Sequence, residues 1–165
     1  MGITIFTPAP LPENDRTRSL AAEQSGLLDR VNEPLLCDFT KEGRRVFNAR
    51  WCGLILMIDQ IQHVIASSNG LAGLYRRSTT LSSYVIYDPG TVFIVLNAVS
   101  DDRFAGNPFV DNGLIGFYAG AAVLDKAGLA IGALCVSDST PRSSFSEYEA
   151  GLLCGFADRV TGMLT

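Results

Sequence analysis

Four aromatic residues gather around one short loop of this sequence. The segment DDRFAGNPFV (101–110) carries Phe104 and Phe109, and Phe117 and Tyr118 follow a few residues later at the start of FYAGAAVL. Rings of this kind either fill a core or line a ligand pocket, because they combine a large apolar surface with, in tyrosine, a polar hydroxyl. Loops often carry binding residues, although loop aromatics are also common structural anchors. Structural packing and ligand contact therefore both remain open for these four residues.

Polar residues in the same loop are typical of turns. Asp102-Arg103 and Asn107-Pro108 are expected to fix the loop through local hydrogen bonds and a turn. Asn107 is kept as a candidate ligand contact as well.

Residues able to support covalent or metal chemistry are few and scattered. The chain has four cysteines, Cys37, Cys52, Cys135 and Cys154, and a single histidine, His63. A zinc site needs closely spaced ligands, which these residues do not provide. A thiol-dependent reductase needs a thiolate with a resolving thiol nearby, and the four cysteines are scattered along the sequence. With one histidine, and with no phosphate-binding loop or dinucleotide motif, nucleophilic catalysis is not expected. We predict a non-catalytic protein that binds no metal, in which Cys135 is a candidate ligand contact on a strand face and His63 is structural.

Composition indicates one folded domain and excludes several classes of partner. The chain has 165 residues, 47% of them hydrophobic, and a formal net charge of −4. That charge does not favour binding of a nucleic acid backbone. No apolar run is long enough for a membrane helix, and the first residues do not resemble a secretory signal. A soluble, cytosolic protein is expected.

Helical patterns flank a set of strand patterns. An irregular arm is predicted over residues 1–13. A helix over 15–28 should follow, with an apolar stripe formed by Leu20, Ala21, Leu27 and Leu28. A second helix is predicted from Pro34 to about Arg50. Ser146 and Glu149 have the spacing of a capping box, which predicts a last helix running toward the end of the chain.

Between these helices lie short apolar runs typical of buried strands. They cover residues 52–59, 62–70, 91–98, 117–124 and 129–138, and DKAG (125–128) predicts a hairpin between the last two. Gly120 and Gly132 leave space at two strand positions for another group to approach closely. Residues 71–90 give no clear pattern, but Tyr84 and Tyr87 within them are candidate pocket residues. Because successive strand residues point to opposite faces, Phe117 and Tyr118 should be split between the two sides of the sheet.

The element order predicts an α+β fold. Adjacent strands joined by short turns favour an antiparallel sheet, and helices at both ends of the chain favour one helical layer on one face. The opposite face must then be covered by residues 71–90 and 99–116.

The second half of the chain resembles bacterial GAF domains. The resemblance rests on the D-x-R-F-x-x-N-P-x-V loop, the F-Y-A-G-A strand, the G-x-L-C-V-x-D strand and the S-x-x-E helix start, and it extends more weakly back to about residue 14. It implies a GAF- or PAS-like fold: a central antiparallel sheet of five or six strands, terminal helices on one face and a ligand pocket under loops on the other. Residues 14–165 would form the single GAF domain. The chain lacks the Phe-Cys-x-His segment of many relatives, having LSSYVIY (81–87) there, and it has no Cys-His dipeptide, so covalent bilin attachment is not expected.

The resemblance also implies a function. The expected protein is a sensory module that binds an unidentified small molecule non-covalently and signals through its terminal helices, as a homodimer. Ligand binding would order the 71–90 and 99–116 segments, and the output would pass to a separate partner such as a kinase or cyclase. Two alternatives stay open: a ligand-free dimerisation domain whose pocket is filled by Tyr84, Tyr87, Phe104 and Phe117, and a thiol-dependent enzyme resembling free-methionine sulfoxide reductases.

Overall fold

One six-stranded antiparallel sheet organises the protein. The computed structural model describes residues 6–164. In that range the strands are β1 (Trp51–Ile58), β2 (Ile61–Ser67), β3 (Gly73–Arg76), β4 (Phe93–Val95), β5 (Phe117–Leu124) and β6 (Ala130–Asp138). Their spatial order is β3-β2-β1-β6-β5-β4, which places β1, β6 and β5 in the middle. The predicted α+β class and strand pairing are confirmed.

Two hairpins join strands that follow one another in sequence, and the second is the one that DKAG predicted. β1 pairs with β2 from Gly53–Ser67 to Ile58–Ile61, with an irregularity between Leu54 and Ile55. β5 pairs with β6, and Asp125 accepts the backbone N–H of Leu129 through its side chain at 2.9 Å, which closes the predicted turn.

Three longer helices pack on one face of the sheet. These are α1 (Asp15–Gln24), α2 (Pro34–Val46) and α5 (Glu147–Gly162), and α5 begins with the predicted capping box between Ser146 and Glu149. Leu36, Phe39, Leu54, Phe117 and Phe156 belong to the core between helices and sheet. Terminal helices on one sheet face therefore match the sequence prediction.

The first two helices are shorter than predicted. α1 stops at Gln24 because Gly26 adopts a left-handed φ of 86°, and a separate 3-10 turn covers Leu27–Arg30. The predicted apolar stripe is wrong at Leu20 and Leu28, which are 53% and 38% exposed. The buried side of α1 carries Arg18, Ser19 and Ala22 instead, and Leu28 lies beyond this helix in the 3-10 turn. α2 ends at Val46 instead of Arg50, and Asn48 follows with a positive φ of 48°.

Short helices and loops cover the other face of the sheet. α3 (Ser82–Tyr87) lies within the segment that gave no clear pattern, and α4 (Pro108–Asp111) lies in the DDRFAGNPFV loop. Only Phe93–Val95 of the predicted 91–98 strand pairs with β5, so the chain leaves the sheet early to form this cover. The arrangement agrees with the prediction that these two segments cover the second face.

Candidate functional site

A cavity of about 430 Å³ lies between the sheet and this cover. Its floor is formed by residues of β1, β2, β5 and β6, including Trp51, Gln62 and Cys135, and its roof includes Leu81 of the 77–82 segment and Phe109 of α4. A volume in this range suits a ligand of two or three rings or a small metabolite. The cavity is therefore the candidate binding site.

Three of the eight predicted site residues border this cavity. Phe109, Tyr118 and Cys135 do so, Phe109 from α4 and the other two from the floor. Tyr118 is almost fully buried and its hydroxyl lies 2.7 Å from Ser82 Oγ. Burial raises the pKa of the Tyr118 phenol, and burial likewise raises the pKa of the Cys135 thiol to about 12. Both groups are therefore neutral at physiological pH and act as neutral hydrogen-bonding groups.

Phe117 lies on the opposite face of the sheet. It packs under the helices near Phe145, with ring centroids 5.5 Å apart, and the guanidinium of Arg142 lies 4.4 Å from its ring centroid. Phe117 and Tyr118 are thus split between the two faces as strand alternation requires. For this reason Phe117 belongs to the core and not to the cavity, contrary to its place among the candidate pocket residues.

Tyr84 and Phe104 form an aromatic cluster beside the cavity. Tyr84 stacks on Phe93 at 5.0 Å, Phe104 meets Tyr84 edge-on at 5.6 Å, and the Arg103 guanidinium lies 5.2 Å from the Phe93 ring centroid. Asp101 holds Arg103 in place, and hydrogen bonding from Arg103 lowers the pKa of Asp101. The half of the covered face over β4 and β5 is therefore filled by the protein itself.

The remaining candidates have structural contacts outside the cavity. Asn107 is buried, donates to Thr79 O at 2.9 Å and accepts the Phe109 backbone N–H at 3.0 Å, so it fixes the start of α4. Tyr87 is 46% exposed and borders a shallow surface depression next to Pro12 and Asp88.

Gln62 is the most informative residue that sequence reasoning missed. It borders the cavity from β2, and its side-chain Oε1 is buried without a hydrogen-bond partner among residues 6–164. An unbonded buried amide costs roughly 1–3 kcal/mol, so such groups are rare in folded proteins. The only sequence signal was a glutamine inside an apolar strand. Which face of the sheet its side chain lies on depends on the strand register, and sequence does not give that register.

The two charged side chains that border the cavity are hydrogen-bonded at its mouth. The Arg50 backbone N–H donates to Asp138 Oδ1 at 2.6 Å, and Arg142 Nε donates to Asp138 Oδ2 at 2.9 Å. The Arg50 guanidinium donates to Ser139 Oγ at 2.8 Å. The cavity wall therefore presents apolar and neutral polar groups for the most part.

A buried charge cluster connects the roof of the cavity to α1. Arg77 Nη2 donates to Asp15 Oδ1 at 2.8 Å and Nη1 donates to Asp15 Oδ2 at 3.0 Å, while Arg18 Nε donates to Asp15 Oδ1 at 3.2 Å. Both arginines are at most 3% exposed. Burial lowers the pKa of Arg18 to about 10, so the side chain stays charged at neutral pH. One carboxylate of the first helix thus bonds both buried guanidinium groups, and the carboxylate of Asp59 is a second negative charge close to Arg18.

Potential metal ligands do not cluster in the described part of the chain, where no group of three or more Cys, His, Asp or Glu side chains comes together. Over residues 6–164, no helix combines the length and apolar character that crossing a membrane requires.

Fold and cavity define a protein of the GAF class, and comparison with known proteins gives the same result. The GAF domain family matches residues 32–164, so the chain belongs to this family of sensory and regulatory modules. It is 32% identical over 150 residues to a cyclic di-GMP phosphodiesterase of Pseudomonas aeruginosa, covering 90% of this chain. The chain spans only about 25% of the length of that relative.

Solved GAF domains share the fold at low sequence identity. The GAF domain of an Acinetobacter phosphoenolpyruvate-protein phosphotransferase has a TM-score of 0.62 at 15% identity, covering 88% of this chain and 89% of its own. The GAF domain of Thermosynechococcus elongatus PixJ, in its blue-light absorbing form, has a TM-score of 0.64 at 11% identity, covering 84% of this chain and 86% of its own. At these identities the similarity establishes the fold alone.

Proposed function

We propose that this GAF domain is a sensory module that binds a small molecule in the cavity over β1, β2, β5 and β6. The observation that carries the proposal is the buried amide oxygen of Gln62, which has no hydrogen-bond partner among residues 6–164 and lies at the edge of a cavity of about 430 Å³. A buried polar group without a partner is a cost that a ligand hydrogen bond would remove. The cavity is lined by aromatic side chains and a few neutral polar groups, and this mixture is typical of small-molecule sites.

We further propose that the domain has no catalytic activity of its own. A thiol-dependent reaction needs an accessible thiolate. Burial raises the pKa of Cys52 and of Cys135, and Cys154 lies on the surface of α5 with its pKa also raised by burial. The environments of these three cysteines disfavour a thiolate nucleophile at neutral pH and so argue against the reductase alternative.

The route for a signal runs through the segment from Arg77 to Ser82. Thr80, Leu81 and Ser82 border the cavity, and Thr80 Oγ1 donates to Arg77 O at 2.9 Å. Arg77 in turn holds Asp15 of α1. A ligand that moves this segment would change the Arg77–Asp15 contact, and hence the packing of the first helix on the sheet.

We propose that the helical face forms a homodimer. Leu20, Leu35 and Tyr148, on α1, α2 and α5, are between 53% and 75% exposed, although all three are large apolar or aromatic residues. Leu35→Glu combined with Tyr148→Glu is expected to weaken self-association at least tenfold in sedimentation equilibrium, because each places a charge in an apolar interface. Unchanged association in this double variant would contradict a dimer through these helices.

The output of the module is proposed to be a separate signalling activity. A kinase or cyclase partner fits the family, and the similarity to a cyclic di-GMP phosphodiesterase favours an activity in second-messenger turnover. Co-purification of such an enzyme, with activity that responds to a cavity ligand, would support this part of the proposal.

A second candidate function is a ligand-free dimerisation domain. The cluster of Tyr84, Phe93 and Phe104 favours it, because protein side chains already fill half of the covered face. A thermal-shift screen with nucleotides, amino acids and aromatic metabolites separates the two functions. At least one compound should raise the melting temperature of a sensor, and no shift with any compound would favour the ligand-free domain.

Gln62→Met provides the matching variant for that screen. Methionine has a similar length without the amide, so the free energy of unfolding of the ligand-free protein should stay unchanged or rise by up to about 1 kcal/mol. The ligand-induced shift should shrink, because the bound state loses a hydrogen bond. A clear loss of ligand-free stability in chemical denaturation would show instead that the amide has a structural partner.

A further inference from the structure

Aromatic rings at the cavity lie against glycines of their own strands. In each case the two residues are two positions apart, so both lie on the cavity face of the sheet. A Cβ atom added to the glycine would lie 2.1 Å from the Trp51 ring at Gly53, 2.6 Å from the Tyr118 hydroxyl at Gly120 and 3.1 Å from the Tyr75 ring at Gly73. The missing side chains let these rings lie along their strands.

The Trp51 ring forms part of the floor in this way. Trp51 is opposite Ser137 of β6, and Ser137 is opposite Tyr118 of β5, so one row across three strands carries an indole, a hydroxyl and a phenol. At the outer edge Tyr75 meets Phe109 edge-on with ring centroids 5.7 Å apart. The floor and one wall are therefore aromatic, which suits a flat ring as ligand.

A hydrogen-bonding group lies directly beside this aromatic surface. Gln62 is the cross-strand partner of Tyr75, and its amide oxygen has no bond to lose among the described residues when it turns toward a ligand. An amide oxygen accepts hydrogen bonds only, so the matching ligand group is an N–H or O–H donor.

The charges near the cavity argue against an ionised ligand. Arg50 and Asp138 are the only charged residues among the described lining, and both lie at the mouth of the cavity. Asp138 accepts from the Arg50 backbone N–H and from the Arg142 guanidinium. The Arg50 guanidinium is exposed to solvent and donates to Ser139 Oγ, so it does not reach over the floor. An ion on the floor would lose its hydration without an opposite charge, which is strongly unfavourable.

We propose that the cavity binds a neutral, flat ring system that carries an N–H or O–H donor. The ring stacks on the indole of Trp51 and its donor bonds to Gln62. This inference rests on the proposed sensory function and specifies the ligand class of the same site.

2-Quinolone is a suitable probe because it is neutral, flat and carries one N–H donor. Trp51 is the only tryptophan of the chain, so its indole N–H gives a single signal in a proton–nitrogen correlation spectrum. Titration should shift this signal with a dissociation constant on the order of a millimolar, as expected for a fragment of this size. N-methyl-2-quinolone lacks the donor and decahydroquinolin-2-one lacks the flat ring, and both should bind about tenfold more weakly.

Gly53→Ala removes the space under the indole. The added methyl group forces the ring off the floor, so 2-quinolone binding should fall at least tenfold. Gly151→Ala is the matched control, because Gly151 is on α5 with no atom within 4 Å of an added Cβ, and its binding should be unchanged. Gly73→Ala serves as a second variant should Gly53→Ala fail to fold, because Tyr75 is 40% exposed and has room to move. Gly73→Ala should also weaken 2-quinolone binding, because it displaces the Tyr75 ring from the cavity wall.

The outcomes separate this inference from the proposed function. Equal binding of the three lactams, preference for a cyclic nucleotide, or a 2-quinolone affinity unaffected by Gly53→Ala and Gly73→Ala would overturn the ligand class. No binding of 2-quinolone would overturn it as well. In each of these cases a thermal shift with another metabolite would leave the sensory function standing.

Discussion

Asp15→Ala is expected to lower the free energy of unfolding by about 3–5 kcal/mol, the cost typical of breaking a buried ion pair. Arg18 and Arg77 are at most 3% exposed, and both donate to this carboxylate. Within the described part of the chain, alanine leaves the two buried guanidinium groups hydrogen-bonded to backbone carbonyls only, those of Met57 and Ala130 for Arg18 and that of Asp59 for Arg77. Thermal denaturation should show the loss as a fall in melting temperature of roughly 2–4 °C for each kcal/mol.

Two further variants test the cause of that loss. Adding Arg77→Met to Asp15→Ala should recover part of the stability, because one unpaired buried cation is removed. Glu42→Ala breaks the exposed pair between α2 and Arg159, which should cost at most about 1 kcal/mol. If Asp15→Ala and Glu42→Ala had similar effects, the buried cluster would not be the anchor of α1.

Phe104→Ala is expected to cost about 3–5 kcal/mol, whereas Phe109→Ala should cost about 1 kcal/mol. Phe104 is 1% exposed and packs against Tyr84 and Phe93, so its removal leaves a cavity. Phe109 is only partly buried and meets the exposed Tyr75 edge-on. Denaturant titration of both variants measures this difference directly.

The effects of the two variants on ligand affinity should be in the opposite order to their effects on stability. Phe109 borders the cavity, and Phe104 is outside it. Phe109→Ala should therefore weaken binding of 2-quinolone several-fold, and Phe104→Ala should leave the affinity of the folded fraction nearly unchanged. A large stability loss at Phe109 with intact binding would show that the division of the covered face into a filled half and an open half is wrong.

Local signals made much of the fold predictable. The apolar runs of β1, β5 and β6, the turn at Asp125 and the capping box at Ser146 each depend on residues close together in sequence. Strand alternation alone separated Phe117 from Tyr118. Helix ends were less predictable, because the left-handed conformation of Gly26 ends a pattern that otherwise continues to Leu28.

The site depended on long-range geometry that local patterns do not contain. Phe104 and Phe109 are five residues apart in one loop, yet a 3-10 turn and α4 direct them to different surroundings. The Asp15–Arg77 pair joins positions 62 residues apart, and a charged residue in an amphipathic helix normally indicates a solvent-facing side. The cavity-facing position of Gln62 follows from the pairing of β2, and β1–β2 contains an irregularity that sequence does not specify.

The most direct test of a metabolite-binding cavity is native mass spectrometry of the purified protein before and after incubation with a metabolite extract. We predict that the wild-type protein carries one small molecule per chain, and that Gln62→Met carries clearly less of it under the same conditions. A wild-type protein that shows only its own mass in both samples would contradict the proposed sensory function and favour the ligand-free dimerisation domain.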